Sequence, residues 1–174
     1  MRLDPSMTDG LTNKGLIQAL NGGAVVLTGN GGGAFTNTGG TITAQNGSEV
    51  QMTAGASLIG GTLTTAGTGL FRNLDTASLS NLTNSGTFIA NNNTTTTLTG
   101  TITNSGSISL NSVGNFTDLA LNGNVTLTGG GTLTLTLADR ILGSGTLTNT
   151  NNTIQGGMNS AGNPANNPID IVNQ

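Results

Sequence analysis

Asn81-Leu82-Thr83-Asn84-Ser85-Gly86-Thr87-Phe88-Ile89-Ala90-Asn91-Asn92-Asn93-Thr94-Thr95-Thr96-Thr97-Leu98-Thr99-Gly100 holds three runs of strand formers separated by turn formers. Leu82 opens a short strand and Asn84-Ser85-Gly86 turns it. Thr87-Phe88-Ile89 makes a second strand, Asn91-Asn92-Asn93 turns again, and Thr94 to Thr99 makes a third. Thr, Ile and Phe suit a pleated, half-buried surface, whereas Asn and Gly tolerate left-handed turn conformations. Strands this short, joined by tight corners, form one coil of a parallel β-helix. Each strand there pairs with its equivalent one coil away, ~4.8 Å along the axis. The reading sends Leu82, Phe88 and Leu98 inward and the Thr hydroxyls outward.

The same grammar returns on both sides of this stretch. Apolar centres fall at Ile17, Ile42, Leu63, Phe88, Ile108, Leu133 and Ile154, in steps of 25, 21, 25, 20, 25 and 21. Upstream of most centres an apolar residue precedes Thr-Asn: Leu11-Thr12-Asn13, Phe35-Thr36-Asn37, Leu82-Thr83-Asn84, Ile102-Thr103-Asn104 and Leu147-Thr148-Asn149. Ile171-Val172-Asn173 looks like the next member. Between these, Thr41-Ile42-Thr43 leads to Val50-Gln51-Met52-Thr53, and Ser107-Ile108-Ser109 leads to Phe116-Thr117. Self-similarity at such a period marks a solenoid, in which each repeat buries its apolar side against its neighbours. The expected architecture is all-β: a right-handed single-stranded parallel β-helix of about seven coils, one domain over residues 1–174. The seven centres are predicted to stack in one inward column, and Asn13, Asn37, Asn84, Asn104 and Asn149 to bond amide to amide at one corner. The 25/21 alternation is read as one corner loop lengthened on every other coil.

Composition agrees. Charged residues are 6% and aromatics 2%, with 29 glycines, so large side chains cannot build a layered core. Helix signals are confined to the weakly helical 14–21, which Gly15, Gly22 and Gly23 spoil. The net charge is -3 and the four cations, Arg2, Lys14, Arg72 and Arg140, are scattered. Binding to nucleic acid, which needs clustered cations against phosphates, is not expected. No apolar run nears the ~20 residues of a membrane-spanning helix, and residues 1–10 lack a signal peptide's apolar stretch. Cysteine is absent, so stability rests on the repeat ladder and not on disulfides.

The repeats resemble those of large bacterial exported adhesins, the filamentous haemagglutinin and autotransporter passenger group. The resemblance is carried by Leu11-Thr12-Asn13-Lys14-Gly15-Leu16-Ile17-Gln18-Ala19 with Gly23-Ala24-Val25-Val26-Leu27, by Leu82-Thr83-Asn84-Ser85-Gly86-Thr87-Phe88, and by Ile169-Asp170-Ile171-Val172-Asn173-Gln174. It covers almost all of 11–174. It implies a right-handed parallel β-helix at the bacterial cell surface or outside the cell, used as a rod, spacer or adhesive segment. The expected partners are glycan or protein surfaces. No capping helix is visible at either end, so the chain is expected to be a piece of a longer rod whose exposed coil ends favour head-to-tail self-association. Residues 1–10 and 159–167 are the segments that would cap those ends.

Chemistry-bearing residues are few. With neither histidine nor cysteine, the usual zinc sites and most nucleophile–base pairs are excluded. The chain is read as a non-enzyme with no catalytic, cofactor-binding or metal-ligating residue and no cofactor. A polysaccharide-cleaving β-helix would need paired carboxylates, and the nearest candidates, Asp118 and Asp139, sit at different offsets from their rung centres and are not expected to stack. Gly29 to Gly33 and Gly129 to Gly131 carry no acid for calcium and no Lys-Ser/Thr for phosphate. Asn-X-Ser/Thr triplets at Asn46, Asn81, Asn93, Asn115 and Asn124 are read as coincidence in an Asn- and Thr-rich chain. Ranks of Thr or Ser at 41/43, 62/64, 107/109 and 132/134 raise an ice-binding face as the alternative. That ladder is broken by Leu16/Gln18, Thr87/Ile89 and Thr153/Gln155.

Overall fold

β-branched residues spaced by two, between Asn and Gly corners, give mostly short strands that wind around a shared interior. The computed structural model describes residues 1–157, the strand Ser160–Ala161 and residues 169–174. Among the described residues there is no helix. Every pairing between strands is parallel, from Arg2–Leu3 with Ala24–Thr28 to Asp139–Asn149 with Ile169–Asn173. The molecule is a β-solenoid of about seven turns.

Three faces run along the axis. The first is an eight-stranded sheet of Arg2–Leu3, Ala24–Thr28, Glu49–Thr53, Leu70–Asn73, Thr87–Ala90, Ser107–Leu110, Thr132–Leu135 and Thr153–Gly156. The second begins with Leu11–Thr12, Ala34–Thr36, Ala56–Ile59 and Thr76–Ser80, and the third with Leu16–Ala19, Thr41–Ala44, Thr62–Thr65 and Thr83–Asn84. From Thr95–Asn104 onward, single long strands serve both of these faces, followed by Thr117–Thr128 and Asp139–Asn149. Residues 1–10, expected to lie outside the repeat, supply the first coil's own strand on face one. The Met1 amino group donates to Ala24 O (2.8 Å) and Gly33 N–H donates to Pro5 O (3.1 Å). Of the other expected cap, 159–167, all but Ser160–Ala161 lies outside the described residues.

The interior is built from register columns. Along face one, Val25, Val50, Phe71, Phe88, Ile108, Leu133 and Ile154 lie over one another. Along face two the column is Phe35, Leu58, Leu79, Leu98 and Leu121. Phe35, Phe71 and Phe88 are fully buried, and Leu82 and Leu98 point inward as expected.

The predicted single column of seven centres is corrected. Ile17, Ile42 and Leu63 stack on face three, whereas Phe88, Ile108, Leu133 and Ile154 stack on face one. Leu63 is paired with Asn84, and Phe88 with Phe71, a much shorter step than the one from Leu63 to Phe88. In this short coil the third-face strand shrinks to Thr83–Asn84 and its corner to Ser85-Gly86. The Thr-Asn motif thereby moves one corner around the coil. At Asn13 and Asn37 it leads into face three, and at Asn84, Asn104 and Asn149 into face one. The 25/21 beat survives this shift because the motif step from Leu63 to Phe88 spans parts of a pair of geometric turns. The loop that varies between coils joins faces one and two, for example Gly29 to Gly33, Ala54-Gly55 and Asn111 to Phe116.

The expectation that Thr hydroxyls point outward also needs correction. Thr96 and Thr117 are fully buried, and Thr28, Thr43 and Thr94 nearly so, while Phe116 is 47% exposed. Strand alternation counted back from Leu98 sends Thr96 and Thr94 inside. Burial of those two and of Thr117 is tolerated because each hydroxyl has a partner. Thr94 Oγ1 donates to Asn91 O (2.7 Å), Thr117 Oγ1 to the same carbonyl (3.3 Å), and Asn73 Nδ2 donates to Thr96 Oγ1 (3.0 Å).

Candidate functional site

Asp118 and Asp139 occupy neighbouring coils, but the register pairs Asp118 with Arg140 and Thr117 with Asp139. An offset of one residue places the two carboxylates on opposite sides of the sheet. Asp118 faces outward and receives Arg140 Nε and Nη2, both at 2.7 Å. Arg140 also lies 4.1 Å from the Phe116 ring centroid. Its hydrogen bonds to Asp118 hold the Arg140 pKa above the ordinary value. Asp139 is fully buried and accepts Ser112 Oγ, the Thr136 N–H and Thr136 Oγ1 (3.0 Å). The two acids flank no common space where a sugar could sit, as their spacing in sequence suggested.

The other acids also serve the wall. Glu49 accepts from Gln51 Nε2 (2.8 Å) and from Arg72 Nε (2.8 Å), and Arg72 reaches on to Asn91 Oδ1 (3.2 Å). The Gln51 hydrogen bond first, and the Arg72 contact second, hold the Glu49 carboxyl below its usual range against the opposing effect of burial. Asp4 accepts the Gly31 N–H (2.7 Å) and Asp75 the Ala54 N–H (3.2 Å), each tying one coil to the next. Among the described residues no three His, Cys, Asp or Glu side chains converge as a metal cluster. No helix there is long and apolar enough to cross a membrane.

The asparagines divide into two functions. Inside the corners, Asn13 Nδ2 donates to Asn37 Oδ1 (2.7 Å), Asn84 to Asn104 (2.8 Å), Asn104 to Asn152 (3.0 Å) and Asn149 to Asn173 (2.7 Å). The expected single ladder is therefore broken into separate pieces, and Asn152, unflagged by the motif, takes the place expected of Asn149. On the outside, exposed or half-buried asparagines accept backbone N–H groups of the following coil. Asn81 takes Thr101 N–H (3.1 Å), Asn92 takes Val113 N–H (2.6 Å) and Asn124 takes Thr146 N–H (3.1 Å). The Asn-X-Ser/Thr asparagines 46, 81, 93, 115 and 124 are all exposed.

The hydroxyl ranks are redistributed in the same way as the core column. Ranks 41/43 and 62/64 lie on face three, and 107/109 and 132/134 on face one. In their place face three carries a column that the rank pattern did not disclose: Thr41, Thr62, Thr83, Thr103 and Thr128 in register over five consecutive coils. No Asp, Glu, Lys or Arg falls within the face-three segments Thr41–Ala44, Thr62–Thr65, Thr83–Asn84, 100–104, 125–128 and 145–149. No protein-family model, curated protein or solved structure matches this chain.

Proposed function

We propose that this chain is a length of structural and adhesive rod from an exported bacterial surface protein, holding a more specialised tip away from the cell and presenting its polar flanks to glycan or protein surfaces. The observation that carries the reading is the outer wall. Its Thr column and Asn brackets repeat coil after coil, and most of the acids and cations are engaged within the wall. A wall of this kind offers many weak, equivalent contacts along its length, which suits adhesion by multivalency. Antibodies raised against the chain should label intact cells of its native bacterium, and protease shaving of those cells should release the epitope. Labelling that appears only after lysis would refute the surface reading.

The face-three Thr column supports a second reading, an ice-binding surface, because its hydroxyls repeat at one coil spacing on an uncharged face. Thermal hysteresis at low protein concentration, lost on Thr83→Lys, would favour that reading. Normal freezing behaviour would remove it. A polysaccharide-acting enzyme draws no support from Asp118 and Asp139, one salt-bridged and the other buried.

A further inference from the structure

We propose that Asn122-Gly123 is a self-modification site, at which the Asn122 side chain closes on the Gly123 nitrogen and is hydrolysed to aspartate and isoaspartate. The proposal goes beyond the reading as a rod and does not depend on where the protein resides.

The chemistry needs water and hydroxide alone. Hydroxide removes the Gly123 amide proton, and the nitrogen attacks Asn122 Cγ. A C–N bond forms, the Cγ–Nδ2 bond breaks, and Nδ2 leaves as ammonia after taking a proton from water, which restores the hydroxide. The five-membered imide then takes up one water. Opening at Cγ gives aspartate. Opening at the main-chain carbonyl carbon gives isoaspartate, in which the backbone runs through the former side chain. Glycine is the favoured following residue because it has no Cβ to shield its nitrogen or restrict its turning.

The sequence holds four Asn-Gly pairs, at Asn21, Asn30, Asn46 and Asn122. All four asparagines are exposed, so exposure does not rank them. Hydrogen bonding does. In three pairs a side chain from another coil holds the glycine N–H. Gly22 N–H donates to Ser48 Oγ (3.0 Å), Gly31 N–H to Asp4 Oδ1 (2.7 Å) and Gly47 N–H to Thr68 Oγ1 (3.1 Å). Asn46 is held at its other end as well, its Oδ1 accepting Thr68 N–H (3.0 Å). A nitrogen tied in this way keeps its proton and its direction, and must first be released by a local opening.

No such side-chain bracket reaches the Gly123 N–H among the described residues; Asn122 Nδ2 only touches Thr99 Oγ1 at 3.4 Å, and the Thr146 bracket closes on Asn124 instead. The backbone is also looser there. Leu121 to Val125 spans four steps where the paired Leu98 to Gly100 spans two, so the strand bulges as it passes from face two to face three. Gly123 and Asn124 are in register with no residue of either neighbouring coil. Gly123 has a φ of +78° and nothing within 4 Å of the place a Cβ would occupy, which leaves room for the ring. The extra backbone carbon of isoaspartate would therefore fall where neither ladder is continuous. The product adds one negative charge to a chain whose net charge is -3.

The full native chain is incubated in warm, mildly alkaline buffer and followed by ion exchange and by peptide mapping that separates aspartate from isoaspartate. A parallel sample is held in urea. In urea the four pairs should react at similar rates. In the folded chain Asn122 should react within a few-fold of its urea rate, while Asn21, Asn30 and Asn46 slow by about tenfold or more. Asn122→Gln should abolish the early acidic species. Thr68→Val, a change at an exposed site, should speed the reaction at Asn46 and leave Asn122 unchanged. A folded chain in which Asn122 is no faster than the other three overturns the proposal. So does a Thr68→Val chain in which Asn46 stays as slow as before, since the brackets would then not be what protects the other pairs.

Discussion

Truncating Phe88 to Ala tests the face-one column at its centre. Phe88 is 0% exposed and sits in register between Phe71 and Ile108. Removing the ring forfeits roughly 2–3 kcal/mol of apolar transfer. A void of roughly 100 Å³ at ~24 cal/mol per Å³ adds about 2 kcal/mol. The void stays open because Leu70–Asn73 and Ser107–Leu110 are held at ladder spacing on either side. The expected loss is therefore about 4 kcal/mol, against under about 1 kcal/mol for Thr87→Ala on the outer surface. Phe71→Ala should cost a similar amount. Because the two rings share one column, the double variant should depart from additivity by about 0.5–3 kcal/mol. Urea unfolding followed by far-UV circular dichroism reads these differences, fitted with a nearest-neighbour coil scheme, since solenoids need not unfold in one step. Equal costs for Phe88→Ala and Thr87→Ala would show that inside and outside are exchanged. Strict additivity of the phenylalanine pair would break the register that sets Phe88 on Phe71.

Asn104→Asp places a carboxylate in a fully buried site facing the Thr132 carbonyl. Burial should raise its folded pKa above the unfolded value, so the variant should lose stability as pH rises between the two and recover it in acid; a flat pH profile in urea titrations contradicts the corner geometry. Glu49 has the opposite sign, its folded pKa being lowered. Its contribution is present above the unfolded pKa and should disappear as pH falls through the folded one, a partly exposed and therefore small effect that Glu49→Gln should remove from the acid limb of melting curves. Gly61→Ala should be severe, because its φ is +72° and the added Cβ would collide with the Asn37 carbonyl oxygen, whereas Gly39→Ala, at φ +80° with nothing within 4 Å, should cost only about 1–2 kcal/mol; comparable melting points for the two would refute the close coil approach at Gly61.

Much of the coil was legible because its signals are local. Strand runs between Asn and Gly corners, and the inward aim of Leu82, Phe88 and Leu98, follow from alternation within a few residues. The face on which each centre lies was not legible in the same way. Leu63 and Phe88 both follow a Gly-Thr pair (Gly61-Thr62 and Gly86-Thr87), yet the coil between them lost strand and corner residues, and no local signal records how far around the turn a centre sits. The neighbour pair Phe71 and Phe88, two of only four phenylalanines, was the available clue. Composition alone sends Thr96 and Thr117 outward, whereas the phase of their strands sends both inside. Their buried hydroxyls depend on partners, Asn73 and the Asn91 carbonyl, supplied by other strands. Asp118 and Asp139 lie 10 and 6 residues after their rung centres, which argues against stacking. The one-residue offset that puts them on opposite faces appears only in the register, because the loop 111–116 is longer than 136–138.

The short coil also sets the rule by which this rod can be lengthened or cut. Excising one motif interval, the stretch from Leu63 to Thr87, would join a strand of face three to a strand of face one and lose a corner. Excising the shorter stretch from Phe71 to Thr87 instead brings Phe88 directly after Leu70, where it inherits the place of Phe71 over Val50. The splice that preserves the wall is thus set by geometric turn and not by sequence repeat, and a library of shortened rods built on the former should fold where one built on the latter fails.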